Sequence, residues 1–272
     1  MRSVILYRKG VDPDADELEV QAASSHFPVV HQRTSVEHGE LVIGRMSVLP
    51  FYKELENDLA SVGAELINSY RQHQFIADMR EWCEVLGDMT PKLYPRLQDL
   101  PEEGPFVLKG QTNSKKHLWN THMFARSKLE AGEVWSRLRD DMLLADQEIY
   151  ARDYVPLALA GPPGIGMNGL PITEEYRFFV CRKQVLCGAF YWASHADDLG
   201  DRVPSELNVP HSFLCKAIDR IGHRAEFYAL DVARTQSGEW IVVEINDGQM
   251  SGLALNDPEV LYRNLKAVID NS

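Results

Sequence analysis

The segment from Phe227 to Asn246 constrains the fold more than any other stretch of the chain. Two strand-like runs flank Ser237-Gly238, a dipeptide suited to a tight hairpin turn. A two-residue loop there pairs Gln236 with Glu239. Counting outward, Val232 meets Val243 and Leu230 meets Ile245, which makes one face apolar. In the same register Asp231 lies opposite Glu244, and alternation puts Asn246 on the Glu244 face. Like charges directly opposite one another destabilise a sheet, and a divalent cation removes that penalty. Two carboxylates and an amide oxygen suit Mg²⁺, a hard cation that keeps water and phosphate oxygens in its shell. The same alternation would serve a solvent-facing strand edge with three polar residues. A bulge at Ser237 would break the register.

The remaining chain mixes strands and helices in the manner of an α/β (α+β) protein. Ser3 to Tyr7 reads as a buried first strand, Val11 to Glu19 as an acidic solvated loop, and Gly39 to Leu49 as a second apolar run. Phe51, Leu55, Leu59 and Val62 recur at helical spacing, and a short strand at Glu65 to Asn68 completes a β-β-α-β unit ending near residue 70. A helix is predicted over His73 to Leu86, with Phe75, Met79, Trp82 and Leu86 facing in and Gly87 as its stop. Pro91, Pro95 and Pro101 mark a linker before the strand Phe106 to Gly110. A helix over Phe124 to Arg139 and a strand over Gln147 to Leu157 follow. Gly161 to Pro171 reads as a mobile loop, and Glu175 to Ala193 as two strands around Arg182-Lys183-Gln184. A helix over Pro210 to His223 precedes the hairpin. The last helix starts at Asp257-Pro258, an N-cap followed by proline at N1, and runs to Asp270.

Composition narrows the function classes. The 272 residues allow two or three packed units. A formal net charge of -12 disfavours general electrostatic binding of nucleic acid. No apolar run reaches membrane-span length, and no signal peptide is expected after Met1. Cys83, Cys181, Cys187 and Cys215 form no CxxC pair, which argues against a zinc ribbon and for free thiols in a reducing cytoplasm. The histidines form no HxH or HxxxH cluster, and no GxSxG elbow is present. Gly161-Pro162-Pro163-Gly164-Ile165-Gly166 lacks the GK[ST] ending of a phosphate loop.

Glu244-Ile245-Asn246, with Asp231 on the partner strand, resembles the metal-binding hairpin of ATP-grasp enzymes such as D-alanine–D-alanine ligase, glutathione synthetase and biotin carboxylase. Asp247 to Leu253 resembles the substrate-side loop that follows it. Upstream, a lysine ends the strand Phe106-Val107-Leu108-Lys109, a hinge strand runs from Ile149 to Pro156, and Glu175-Tyr176-Arg177-Phe178-Phe179-Val180 follows in the expected order. The resemblance covers residues 73 to 272 and is closest to the bacterial and phage branch named for two arginines and one lysine, here Arg152, Arg177 and Lys109. It implies an ATP-grasp fold of two α+β subdomains gripping ATP. Residues 71–150 would be the small subdomain and 151–272 the C-terminal subdomain with the metal hairpin. Residues 1–70 would form a small α/β domain in front.

The same resemblance assigns roles. Lys109 contacts ATP phosphates. Arg152, Asp153, Tyr154 and Val155 form the adenine hinge, with Asp153 reaching the ribose. Asp231, Glu244 and Asn246 hold Mg²⁺, and Gln249, Ser251 and Gly252 hold the acceptor. Lys109 and Arg177 stabilise charge on the transferring phosphoryl group. Read without the resemblance, Lys109 is equally a solvated strand end, Arg152-Asp153 an exposed ion pair, and Arg177 a guanidinium stacked on aromatic bulk. One departure stands out: the family's glycine-rich phosphate loop is reduced to Gly110, with Ser114, Lys115 or Lys116 as substitutes. The implied activity is an ADP-forming carboxylate–amine ligase acting through an acyl phosphate on small-molecule or peptide substrates. A phosphotransferase on the same fold and a non-catalytic nucleotide-binding protein are the alternatives. Dimers are common among such enzymes, although no segment identifies an interface.

Overall fold

A computed structural model describes residues 2–8, 13–112, 114–142, 144, 146–162, 166–167, 169–204 and 207–271. Its first sheet is built from β1 (Ser3–Tyr7), β2 (Val29–Val30), β3 (Leu41–Arg45) and β4 (Glu65–Leu66), all parallel in the order β2-β1-β3-β4. β1 and β3 are buried along their whole length, as near-continuous apolar strands covered on both faces must be. The acidic stretch expected as a loop is instead largely helical. α1 (Pro13–His26) takes in residues 13–19, while residues 9–12 lie outside the described set. Proline in the first turn and acidic residues near a helix N-terminus both favour that outcome. The unit is therefore β-α-β-β-α-β, one helix and one strand more than expected. α2 (Tyr52–Ser61) buries Tyr52, Leu55 and Leu59. Phe51 and Val62, expected on the same face, sit at the two caps and stay exposed.

The single helix expected over 73–86 is two. α3 (Tyr70–Ala77) starts earlier because Ser69 and Gln72 form a capping box. At Asp78 the backbone is extended (φ -90°, ψ 102°), and its side chain accepts from Arg80 N at 2.9 Å, capping α4 (Met79–Leu86). Phe75, Met79, Trp82 and Leu86 are all buried, so the facing was read correctly across the break.

The second sheet holds β5 (Leu93–Tyr94), β6 (Glu103–Gly110), β7 (Phe124–Ser127) and β8 (Ile149–Asp153) in the antiparallel order β5-β8-β6-β7. Phe124 to Ser127, expected as helix, pairs with β6. α5 (Lys128–Arg139) begins only after Ser127, whose side chain accepts from Glu130 N. A two-stranded hairpin, β9 (Gly166–Met167) with β10 (Leu170–Pro171), follows within the segment expected as a mobile loop. Residues 163–165 and 168 of that segment lie outside the described set.

The third sheet is antiparallel, in the order β12-β11-β13-β14, from β11 (Glu175–Cys181), β12 (Gln184–Phe190), β13 (Phe227–Arg234) and β14 (Trp240–Asp247). Arg182 and Lys183 close β11–β12 with φ of 46° and 67°, the left-handed pair that a tight two-residue hairpin requires. α6 (Ala196–Leu199) and α7 (His211–Ile221) connect β12 to β13, and α8 (Pro258–Asp270) ends the chain behind its Asp257 cap. One face of this sheet, with Tyr176, Phe178, Leu230, Val232 and Val242, packs on α3, α4 and α7. The other face is divided. Phe179, Cys181, Phe227 and Ala229 pack on α8 and the first sheet, while Glu175, Arg177, Asp231 and Glu244 continue that face toward the second sheet. β8 runs through residue 150, and α3 and α4 pack on the third sheet.

The β13–β14 hairpin differs from its expected register. The turn occupies Thr235 to Glu239, so Arg234 opposes Trp240 and Val232 opposes Val242, not Val243. A bulge between Asp231 and Val232 then restores the expected pairs Asp231–Glu244 and Leu230–Ile245. Among the described residues no helix is long and apolar enough to cross a membrane.

Candidate active site

Lys109 lies in the buried end of β6, and its ammonium is ion-paired with Glu244 on β14, joining the second sheet to the third. Two cavities meet at this pair, and both side chains line both of them. The first is polar. His73, Arg177, Asn246, Asp247, Ser251 and Gly252 contribute to its wall. The second is mostly apolar, walled by Trp119, Met123, Tyr154, Val155, Leu157 and Val243. Trp119 stacks on Phe124 with centroids 5.9 Å apart, and Tyr154 meets Phe124 edge-on at 5.1 Å.

Charge is concentrated at the junction. Arg177 grips the fully buried Asp231 with two bonds, Nε to Oδ1 at 2.8 Å and Nη2 to Oδ2 at 2.7 Å, and its Nη1 donates to Gly252 O at 2.9 Å. Such a bidentate pair fixes the guanidinium in orientation as well as in charge. Burial alone would raise the pKa of Glu244, but Lys109, Lys116 and Arg177 outweigh it and hold the carboxyl at about 2. Lys116 reaches across from the second sheet. Its ammonium donates to Tyr191 Oη at 2.9 Å and lies 4.4 Å from the centroid of that ring. Burial would lower the Lys116 pKa, yet Glu175, Tyr191 and Glu244 raise it. Glu175 behaves oppositely. Burial pushes its carboxyl up to about 7, against the pull of Lys116, and its Oε1 is buried with no hydrogen-bond partner.

A model of the ATP-grasp domain, R2K clade family 3, matches residues 97–265. The chain belongs to that family. Among solved structures the ATP-grasp fold recurs in a RimK domain ATP-grasp protein from Sphaerobacter thermophilus DSM 20745, 16% identical, with a TM-score of 0.58 over 97% of this chain and 99% of the other. It recurs in the D-cycloserine synthetase DcsG, 12% identical, with a TM-score of 0.62 over 98% and 99%. The macrocyclase MdnC bound with precursor peptide MdnA, from Microcystis aeruginosa MRC, is 12% identical, with a TM-score of 0.58 over 100% of both chains. No curated protein matches the sequence.

On this ATP-grasp frame the residues singled out by sequence fall into three groups. Lys109, Arg177, Asp231, Glu244 and Asn246 converge, with Asn246 Nδ2 donating to Asp231 Oδ2 at 3.3 Å. Ser251 and Gly252 line the polar cavity, and Asp153, Tyr154 and Val155 line the apolar one. The N–H groups of Asp153 and Tyr154 are bound to Lys92 O and Pro105 O, and among the described residues the Val155 N–H has no acceptor. Arg152 lines the apolar cavity, but its Nη1 donates to Val243 O and its Nη2 to Thr90 Oγ1, and its guanidinium lies over Trp82. Gln249 lines neither cavity. Its side chain accepts from Gly44 N at 3.0 Å and donates to Tyr52 Oη at 2.6 Å, so it ties the first sheet to the loop after β14.

The donor chemistry of Asp231, Glu244 and Asn246 is all hard oxygen, which fits Mg²⁺. Among the described residues no three of His, Cys, Asp and Glu form a metal cage, so phosphate oxygens and water would complete such a shell. Of the three substitutes for the missing glycine-rich loop, Lys115 is buried against Asp141 at 2.7 Å, while Ser114 and Lys116 line the apolar cavity. Trp119 and His73 were not singled out by sequence. Each is a lone residue whose placement depends on contacts between distant segments.

Proposed function

We propose that this protein is an ADP-forming ligase that uses ATP and Mg²⁺ to join a carboxylate to an amine through an acyl phosphate. The observation that carries this reading is the convergence of Lys109, Arg177, Asp231 and Glu244 where a polar and an apolar cavity meet. The apolar cavity, with its aromatic wall and a Val155 N–H that has no acceptor among the described residues, suits a purine base. The junction suits phosphates, and the polar cavity suits the two reacting substrates. Mg²⁺ held by Glu244, Asn246 and Asp231 would neutralise charge on the phosphate oxygens. Lys109 and Arg177 present fixed cations to the phosphoryl group and then to the acyl phosphate, so little reorganisation accompanies reaction. Lys109, Arg152 and Arg177 are the lysine and two arginines of the proposed branch. In that set Arg152 acts by holding β14 and Thr90 in place. Bound substrates would have to complete the walls and exclude water, which would otherwise hydrolyse the intermediate. MdnC bound with its precursor peptide has the same fold, and a peptide carboxylate is accordingly among the substrates proposed.

Calorimetric titration with ATP, with and without Mg²⁺, beside the Glu244→Gln variant tests the nucleotide site. Binding that needs Mg²⁺ and weakens at least tenfold in the variant is expected. A folded protein that binds no ATP under either condition would refute the reading.

A further inference from the structure

The polar cavity contains a histidine outside the Lys109–Arg177–Asp231–Glu244 cluster. His73 sits in α3 with 5% of its surface exposed and lines the cavity together with Lys109, Arg177 and Asn246. Its Nδ1 lies 3.1 Å from Asp247 Oδ2. The other oxygen of Asp247 accepts from Asn68 Nδ2 at 3.0 Å and from Gln249 N at 3.0 Å. A carboxylate surrounded by donors is an acceptor toward the ring. It therefore places the proton on Nδ1 and leaves the Nε2 lone pair available. Tyr52 stacks on the imidazole with centroids 4.1 Å apart and planes within 10°, and the capping box of α3 fixes the backbone below it. Among the described residues Nε2 has no hydrogen-bond partner, nor is it a buried unpartnered atom. It is thus open to whatever enters the cavity.

The other ionisable groups on this wall are already engaged. Asp247 accepts on both oxygens, Glu244 is paired with Lys109, and Lys109 and Arg177 are cations. We propose that His73 is the general base that takes the proton from the attacking amine, with Asp247 and Tyr52 as positioning residues. This rests on the ligase reading above. The amine nitrogen forms a bond to the acyl carbon, the carbon–oxygen bond to phosphate breaks, and phosphate leaves with its electron pair. The N–H proton passes to His73 Nε2 and from there to solvent. A positioned base contributes on the order of 10²–10⁴ in rate.

Hydroxylamine separates the two half-reactions, because it is neutral near pH 7.5 and captures an acyl phosphate without a base. Carboxylate probes (free amino acids, dicarboxylic acids, and peptides carrying Asp and Glu) are incubated with ATP, Mg²⁺ and either hydroxylamine or an amino acid as amine. For His73→Ala we expect hydroxamate within about twofold of wild type and amide at least 100-fold lower, with partial recovery on adding imidazole. Unchanged ATP affinity by calorimetry confirms that the variant is folded. Equal loss of hydroxamate and amide with ATP binding intact, or no loss of either, overturns the role of His73. A wild-type protein that forms no hydroxamate with any probe overturns the ligase reading itself, and the general base with it.

Discussion

The two cavities share Lys109 and Glu244 yet are built on opposite principles. The apolar cavity is walled by single side chains from many segments, among them Trp119, Tyr154 and Val243. In the polar cavity His73 and Asp247 stand on the wall, and behind them Tyr52, Asn68 and Gln249 hold them in a hydrogen-bonded lattice. The first arrangement accepts a flat, weakly polar group with little demand on geometry. The second fixes a few polar atoms closely and tolerates little change. On the proposed reading, the nucleotide needs only the former, whereas control of proton transfer needs the latter.

The largest expected effect comes from the buried ion pair beside the shared Lys109–Glu244 junction. Arg177→Met leaves Asp231 buried without its partner, and breaking such a pair costs about 3–5 kcal/mol of stability. Chemical denaturation should register that loss, and turnover should fall by about 10²-fold or more. Retained stability would mean that the pair is not the anchor of the junction.

Glu175 comes next, since it ties the apolar cavity to pH. Its carboxyl is raised from 4.5 to about 7, chiefly by burial. Such an acid favours the folded state below its unfolded pKa, and that contribution is lost as pH rises through the folded value. Between pH 4.5 and 7 wild-type stability should therefore decline from this source by on the order of 1.4 kcal/mol per pH unit. Glu175→Gln should flatten the profile and gain on wild type at pH 8. Denaturant titrations at pH 5 and pH 8 give the comparison, and parallel profiles would contradict it.

Trp119→Ala addresses the apolar cavity alone. Loss of a stacking surface costs about 1–3 kcal/mol per base, so ATP affinity should drop roughly 10- to 100-fold by calorimetry. The KM of the amine should not change. Tyr52→Phe is the mirror experiment and the mildest. It removes the donor to Asn68 O and the nearer of the two acceptors of Gln249 Nε2, leaving Asp247 Oδ1 at 3.4 Å, for about 1 kcal/mol of stability. Here the KM of the amine should rise while ATP affinity stays put. If both substitutions moved both parameters, the cavities would not be separable.

What was legible in the sequence is what periodicity controls. Alternation at period two put Asp231, Glu244 and Asn246 on one face and set Arg177 apart from Tyr176 and Phe178. The hairpin was read through two compensating departures, a longer turn and a bulge at Val243, because β pairing is decided by side-chain packing as much as by the turn. α1 was missed because its apolar face is narrow, with Ala22 and Ala23 buried where larger residues would have made a signal. Phe124 to Ser127 was taken for helix because four residues before a real helix carry no period of their own. His73, Trp119 and Glu175 gain their settings only from tertiary contacts, and a lone residue has no pattern to read.

The loop after β14 is fastened to the first sheet at several points. Arg45 donates to Gly248 O, Gly44 N to Gln249, and Asn68 to Asp247. The polar cavity is therefore a joint product of two parts of the chain, whereas the lining of the apolar cavity comes from residues 91 to 244. On the proposed reading, substitutions within residues 41 to 68 would retune which amine is accepted while the nucleotide side stays as it is. A common engine with an exchangeable front end is the lineage that such stitching permits.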